Sequence, residues 1–136
     1  MKSIVYILFV FSISSIIAQE KPAFQFKTET IDYGKIDKSS NGTRTFEFTN
    51  TGSEPLIISR IQTSCGCTVP KKPEKPIMPG EKGSIEVTYD TKRLGGFSKV
   101  ITIYSNAKTA RKVIKIKGFV KKSLSLEKKK KMLSNH

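Results

Sequence analysis

Tryptophan is absent from this 136-residue chain, and histidine occurs once, as His136. A terminal imidazole has nothing to fix its geometry, so it makes a poor general base or metal ligand. Without an internal histidine, neither Ser64 nor Ser105 can belong to a Ser–His–Asp triad. Cysteine is scarce too. Cys65 and Cys67 are the only two, short of the four ligands that a structural zinc site needs. The acids number 11 against 25 basic residues, and no carboxylate pair is placed for acid–base work, which leaves a solvated surface. No Gly-Lys-Ser/Thr follows Gly95-Gly96, so that pair is no phosphate loop but a turn or bulge needing unusual backbone angles. Beyond the first segment, no apolar run is long enough to span a bilayer. No stretch carries a strong amphipathic helical period.

What is present fits one domain. A chain of this length buries roughly two-thirds of its unfolded surface. Its 37% hydrophobic and 26% charged residues mark a globular chain, not a disordered one. Residues 1–19 read as a signal peptide: Lys2, an apolar run over residues 4–17, then Ala18-Gln19 before Glu20-Lys21. Cleavage after Ala18 or Gln19 both fit. The run is fourteen residues long, short of the ~20 that cross a bilayer, so an uncleaved anchor is the weaker alternative. No Cys follows it to carry a lipid. The formal charge is +14, and six lysines against one glutamate fall after residue 120. Such a surface attracts polyanions. For an exported protein these are anionic lipids and envelope polymers, and no nucleic acid partner is expected.

From Phe24 onward the apolar period is two. Phe24 and Phe26 alternate with Gln25 and Lys27. A short extended piece covers residues 31–36, and Asn41-Gly42 marks a tight turn. The clearest strand is residues 43–49, with Phe46 and Phe48 on one face and Thr45, Glu47 and Thr49 on the other. A turn rich in Asn, Gly, Ser and Pro covers residues 50–55. A strand follows over 56–61, then a less regular segment over 62–79 that holds both cysteines and four prolines. Further strands are expected over 84–90, 97–104 and 111–120. About seven short strands at this spacing predict an all-β immunoglobulin-like sandwich over residues 22–120. Phe46, Phe48, Ile85, Val87, Ile101 and Ile116 would meet in its core. Residues 121–136 are expected to be a solvated, mobile basic tail, because Lys128, Lys129, Lys130 and Lys131 would circle every face of a helix.

The ordered motifs have a known counterpart. Ile31-Asp32-Tyr33-Gly34-Lys35-Ile36 is followed by Thr45-Phe46-Glu47-Phe48-Thr49-Asn50-Thr51-Gly52 and Glu54-Pro55-Leu56-Ile57-Ile58. Thr63-Ser64-Cys65-Gly66-Cys67-Thr68-Val69-Pro70 comes next. Pro79-Gly80-Glu81-Lys82-Gly83 then precedes residues 85–89, and Ile101-Thr102-Ile103-Tyr104-Ser105-Asn106 precedes Ile116-Lys117-Gly118. Together these resemble the bacterial family called domain of unknown function 1573, over about residues 24–120. The resemblance implies an immunoglobulin-like sandwich related to the major-sperm-protein and ciliary ASH type, in mostly exported proteins. It implies no activity. The basic tail lies outside the family pattern.

The Cys-Gly-Cys segment admits three readings. It could be structural, as two small partly buried residues with or without a local bridge. It could exchange thiols, since a bridge between residues two apart closes a small, strained ring that Gly66 eases. It could hold Cu(I) linearly between two thiolates, with Met78 as a weak third ligand. Lys71, Lys72 and Lys75, interleaved with prolines, form an extended basic loop. It is either a solubilising surface or an anion contact. The function expected is a non-enzymatic module of the periplasm or cell surface, without a cofactor. It would bind another envelope protein, by edge-strand pairing. The alternative is a thiol-redox or copper-binding protein. A third reading has the tail lysines bind anionic lipid.

Overall fold

A computed structural model describes residues 19–135. All but the last residue of the expected export segment therefore lies outside the described residues. Among the described residues eight strands form: β1 (Phe24–Phe26), β2 (Thr30–Asp37), β3 (Thr43–Asn50), β4 (Ile58–Thr63), β5 (Thr68–Lys71), β6 (Lys82–Tyr89), β7 (Gly95–Ser105) and β8 (Arg111–Lys121). They build two four-stranded sheets, ordered β1-β3-β6-β5 and β2-β8-β7-β4. This is the expected sandwich, with one strand more than the sequence pattern suggests.

Alternation puts the apolar side chains of both sheets in a shared interior. Phe46, Phe48, Ile85 and Val87 come from the first sheet, and Ile101, Ile103, Ile114 and Ile116 from the second. None is more than 2% exposed. Each such burial contributes roughly 1.5–3 kcal/mol of transfer free energy. Tyr33 and Tyr89 close one end against Phe97, edge-on and stacked respectively. The Tyr33 hydroxyl donates to the Gly42 carbonyl at 2.8 Å. Gly42 is required there because a Cβ would collide with the Tyr89 carbonyl. The buried side chains have no unpartnered nitrogen or oxygen among the described residues.

One strand pair is parallel and the other five are antiparallel. β2 runs parallel to β8, with a register shift between Asp32 and Lys35. Gly34 takes φ +63° inside that bulge, a conformation glycine adopts without a Cβ penalty. Asp32 and Asp37 on β2 face Lys117 and Lys121 on β8 at 3.6 and 3.1 Å.

Three details differ from the sequence expectation. The strand expected over 56–61 runs Ile58–Thr63, because Leu56 pairs instead with Ile77 in an isolated bridge. The irregular segment contains β5, with Pro70 set opposite Val87; an edge strand tolerates a residue with no N–H to donate. The tail expected to be mobile forms a helix, α1 (Leu124–Leu133). Leu, Lys, Glu and Met are good helix formers. Glu127 in its first turn and Lys130 and Lys131 in its last complement the helix dipole. Lys128 to Lys131 are all exposed.

Candidate functional site

The two cysteines sit where the chain leaves one sheet for the other. β4 is an edge strand of the second sheet and β5 an edge strand of the first, and residues 64–67 join them. The Thr68 N–H donates to the Cys65 carbonyl at 3.2 Å, closing a tight turn around Gly66. The Cα atoms of Cys65 and Cys67 are 5.2 Å apart. That lies within bridging range and is shorter than an extended strand would allow. The sulfur atoms lie against each other, and the Cys67 N–H points at the Cys65 Sγ at 3.0 Å.

The surroundings hold the turn by hydrogen bonds. Thr63 Oγ1 donates to the carbonyls of Cys65 and Thr68. The Asp90 N–H donates to the Cys67 carbonyl at 2.9 Å. Ser64 N–H donates to Val100, and Val100 N–H returns to Ser64 Oγ at 3.2 Å. Ser64 is thus a backbone clasp, and Ser105 similarly accepts from the Ala107 N–H. Cys67 is buried at 7% exposure while Cys65 is half-buried. Cys65 is therefore the sulfur nearer to solvent.

Met78 is not brought to the cysteines. Its neighbour Ile77 bridges Leu56, before the start of β4, while the Cys turn follows its end. The length of β4, roughly 20 Å, separates them. Among the described residues, no three His, Cys, Asp or Glu side chains gather as a metal cluster. Lys71, Lys72 and Lys75 line a shallow depression shared with Glu74, Ser84 and Glu86. Lys71 faces Glu86 in register, so carboxylates stand among the cations of that loop. Lys128 to Lys131 lie on α1, away from the turn in sequence. Gly95 takes φ +104°, as expected of a residue at an irregular strand start.

The four sheet edges differ in how well they are blunted. β1 has three residues, and β5 has four with a proline among them. β2 is bulged and carries Asp32, Lys35 and Asp37. β4 has six residues, one charge, no proline and a register shift only at its start, between Ile58 and Arg60. Because Ser64 is hydrogen-bonded to Val100, the antiparallel alternation turns the backbone groups of Ile61 and Thr63 to the free side. That open row was not legible in the sequence, where β4 cannot be told from an interior strand.

Asn50 was legible only as a turn residue. It is fully buried. Its Nδ2 donates to the carbonyls of Glu54 and Ile77 at 2.8 and 2.9 Å. Its Oδ1 accepts from the N–H groups of Ala23 and Gly52. One side chain thereby fixes three loops at the end of the sandwich opposite Tyr33.

Solved structures share this architecture. A protein of unknown function from Porphyromonas gingivalis W83 superposes with a TM-score of 0.66 at 17% identity, over 79% of this chain and 51% of that one. This chain thus spans about half the length of the Porphyromonas protein. The ASH/PapD-like domain 7 of human CEP192 gives 0.62 at 6% identity, covering 76% and 88%. A chain of the CsuC–CsuE chaperone–tip adhesion subunit pre-assembly complex of Acinetobacter baumannii gives 0.52 at 16% identity, covering 73% and 57%. No curated protein matches the sequence. At these identities the likeness is one of fold, an immunoglobulin-type PapD-like sandwich. The profile of the protein family of unknown function DUF1573 matches residues 24–120, and the chain belongs to that family.

Proposed function

We propose that this chain is an exported, non-enzymatic module that binds another envelope protein by adding a strand to the β4 edge. The observation that carries the reading is the regular part of β4 beyond its irregular start, whose free backbone groups at Ile61 and Thr63 offer a short ladder. The signal-like first nineteen residues support export. The lack of a catalytic constellation among the described residues supports a binding role. The fold shared with a chain of a chaperone–subunit complex is compatible with a protein partner. Mild crosslinking and pull-down from an envelope fraction should return a reproducible partner. An Ile61→Pro variant, shown folded by circular dichroism, should lose it by removing a free-edge donor. Recovery of no partner, or of the same partner by the folded variant, overturns this reading.

The touching sulfurs favour a second reading, in which Cys65 and Cys67 form a disulfide that exchanges with a dithiol protein. The incoming thiolate would attack Cys65 Sγ and release Cys67 as a thiolate. The partner's second thiol would then displace Cys65 and leave as the disulfide, while both cysteines take up protons. In the reduced form, two thiolates would suit Cu(I). Thiol titration and metal analysis of native periplasmic material test this. Cysteines that neither exchange with a dithiol nor hold copper end it.

A further inference from the structure

The outer face of the second sheet is built unlike the rest of the surface. On β8, alternation turns Arg111, Val113, Lys115, Lys117 and Phe119 away from the core. The register seats Tyr104 of β7 between Arg60 of β4 and Arg111. The Arg60 guanidinium lies 4.2 Å over the Tyr104 ring, which preorganises an otherwise flexible side chain. Val100 and Val113 stand beside these cations at 39% and 43% exposure, and Phe119 is 47% exposed. The carboxylates at the β2 margin, Asp32 and Asp37, are occupied by Lys117 and Lys121. Arg60, Arg111 and Lys115 make no ion pair among the described residues.

Cations interleaved with exposed apolar side chains select among occupants. A bare polyanion would satisfy the charges and leave the valines and Phe119 in water. An anionic bilayer keeps its apolar region several ångströms beneath the headgroups, out of reach of short side chains on a flat sheet. A second copy of this chain carries the same positive sign and is repelled. A protein surface with carboxylates set among apolar groups satisfies both demands. The four strands, of eight, eleven, eleven and six residues, cover about 570 Å², near the low end of the roughly 600–1,000 Å² that each partner gives to a stable interface.

We propose that the outer face of the second sheet is a docking surface for an acidic, apolar-studded protein surface, anchored on Arg60, Arg111 and Lys115 around Val113. The proposal rests on the reading of the chain as a protein-binding module, not on pairing at the β4 edge. Arginine flanked by aromatic and aliphatic groups is the usual composition of a binding anchor, and the cations would make association fast and salt-sensitive.

The test uses the full chain from residue 20 and a fluorescein-labelled peptide of alternating glutamate and valine, nine residues long. Its binding is measured by anisotropy at low and high salt. The triple variant Arg60→Glu/Arg111→Glu/Lys115→Glu should weaken binding at least tenfold while melting like the parent. Val113→Ser/Phe119→Ser, which keeps every charge, should weaken it at least threefold. Lys71→Glu/Lys72→Glu/Lys75→Glu should leave it within twofold. The proposal is overturned by unchanged binding in the triple variant. It also falls if a glutamate–serine peptide binds as tightly, which would make the face a polyanion site. Equal competition by phosphatidylglycerol vesicles would assign it to membranes instead. Loss of peptide binding in Ile61→Pro but not in the triple variant would place the peptide on the β4 edge and sink this proposal alone. Loss in the triple variant but not in Ile61→Pro would leave the face standing and the edge reading without support.

Discussion

The two sheets present nearly the same interior and very different exteriors. Inward, each offers Phe, Ile and Val that are buried almost completely. Outward, the first sheet shows mostly Thr43, Thr45, Glu47, Thr49, Ser84 and Thr88, with Lys27 paired to Glu47, Lys71 opposite Glu86 and one exposed valine, Val69, on its β5 edge. The second shows arginines, lysines, valines and a phenylalanine. Folding asks only that inner faces pack and outer faces tolerate water, and a threonine-rich face meets that demand as well as a cationic one. The contrast outside is therefore not needed by the fold, and it marks the face free to carry recognition.

That comparison can be broken from the inside first. Phe46→Ala in the first sheet should cost about 3–5 kcal/mol and Ile101→Ala in the second about 2–5 kcal/mol, measured by urea denaturation. A large loss in one sheet and a trivial one in the other would show that the interiors are not equivalent. Next comes the loop end. Asn50→Ala should cost about 2–4 kcal/mol, since it strands the Glu54 carbonyl and the N–H groups of Ala23 and Gly52, while the Ile77 carbonyl keeps the Leu56 N–H. Asn106 bonds Pro55 and Ile57 at an exposed site, so Asn106→Ala should cost only about 1 kcal/mol.

Smaller still is the alkaline response of the opposite end. Burial raises the Tyr33 phenol above its ordinary value of 10.0, with Arg44 opposing the rise. The folded chain thus favours the neutral phenol more than the unfolded chain does. Its contribution is present below about pH 10 and is lost as pH climbs through the raised folded value. The urea midpoint should hold up to about pH 10 and fall beyond it, with a shallower fall in Tyr33→Phe. An identical fall in that variant would remove Tyr33 as a cause. The smallest effects belong outside. Thr45→Val on the first sheet and Val113→Thr on the second should each change stability by no more than about 0.5 kcal/mol. A larger penalty at Val113 would mean that its face is structural.

Much of the fold was legible because alternation is a local property. β3, β6, β7 and β8 follow from Phe46/Phe48, Ile85/Val87, Ile101/Ile103 and Ile114/Ile116, and all six residues expected in the core are buried. β5 was hidden by Pro70 and by Lys71, which an edge strand accepts and a composition count reads as loop. Leu56 misled at its strand end because its partner, Ile77, is twenty-one residues away in the chain. The parallel pairing of β2 with β8 has no local signature at all. Of the candidate site, the Cys-Gly-Cys motif was visible as residues. Its place at the crossing between two sheet edges, and the assembly of Arg60, Tyr104 and Arg111 from three strands, exist only in the register.

The parallel pairing also sets an order of events. β2 touches its sheet only through β8, so one of the first segments to be made must wait for the last strand. Until residue 121 is free, the second sheet has neither its middle strand nor an attachment for its opening one, and the isoleucines of β7 face an unfinished wall. Non-local closure of this kind slows folding. A chain threaded end-first through a narrow channel would therefore stay pliable until nearly all of it had passed, then lock at once.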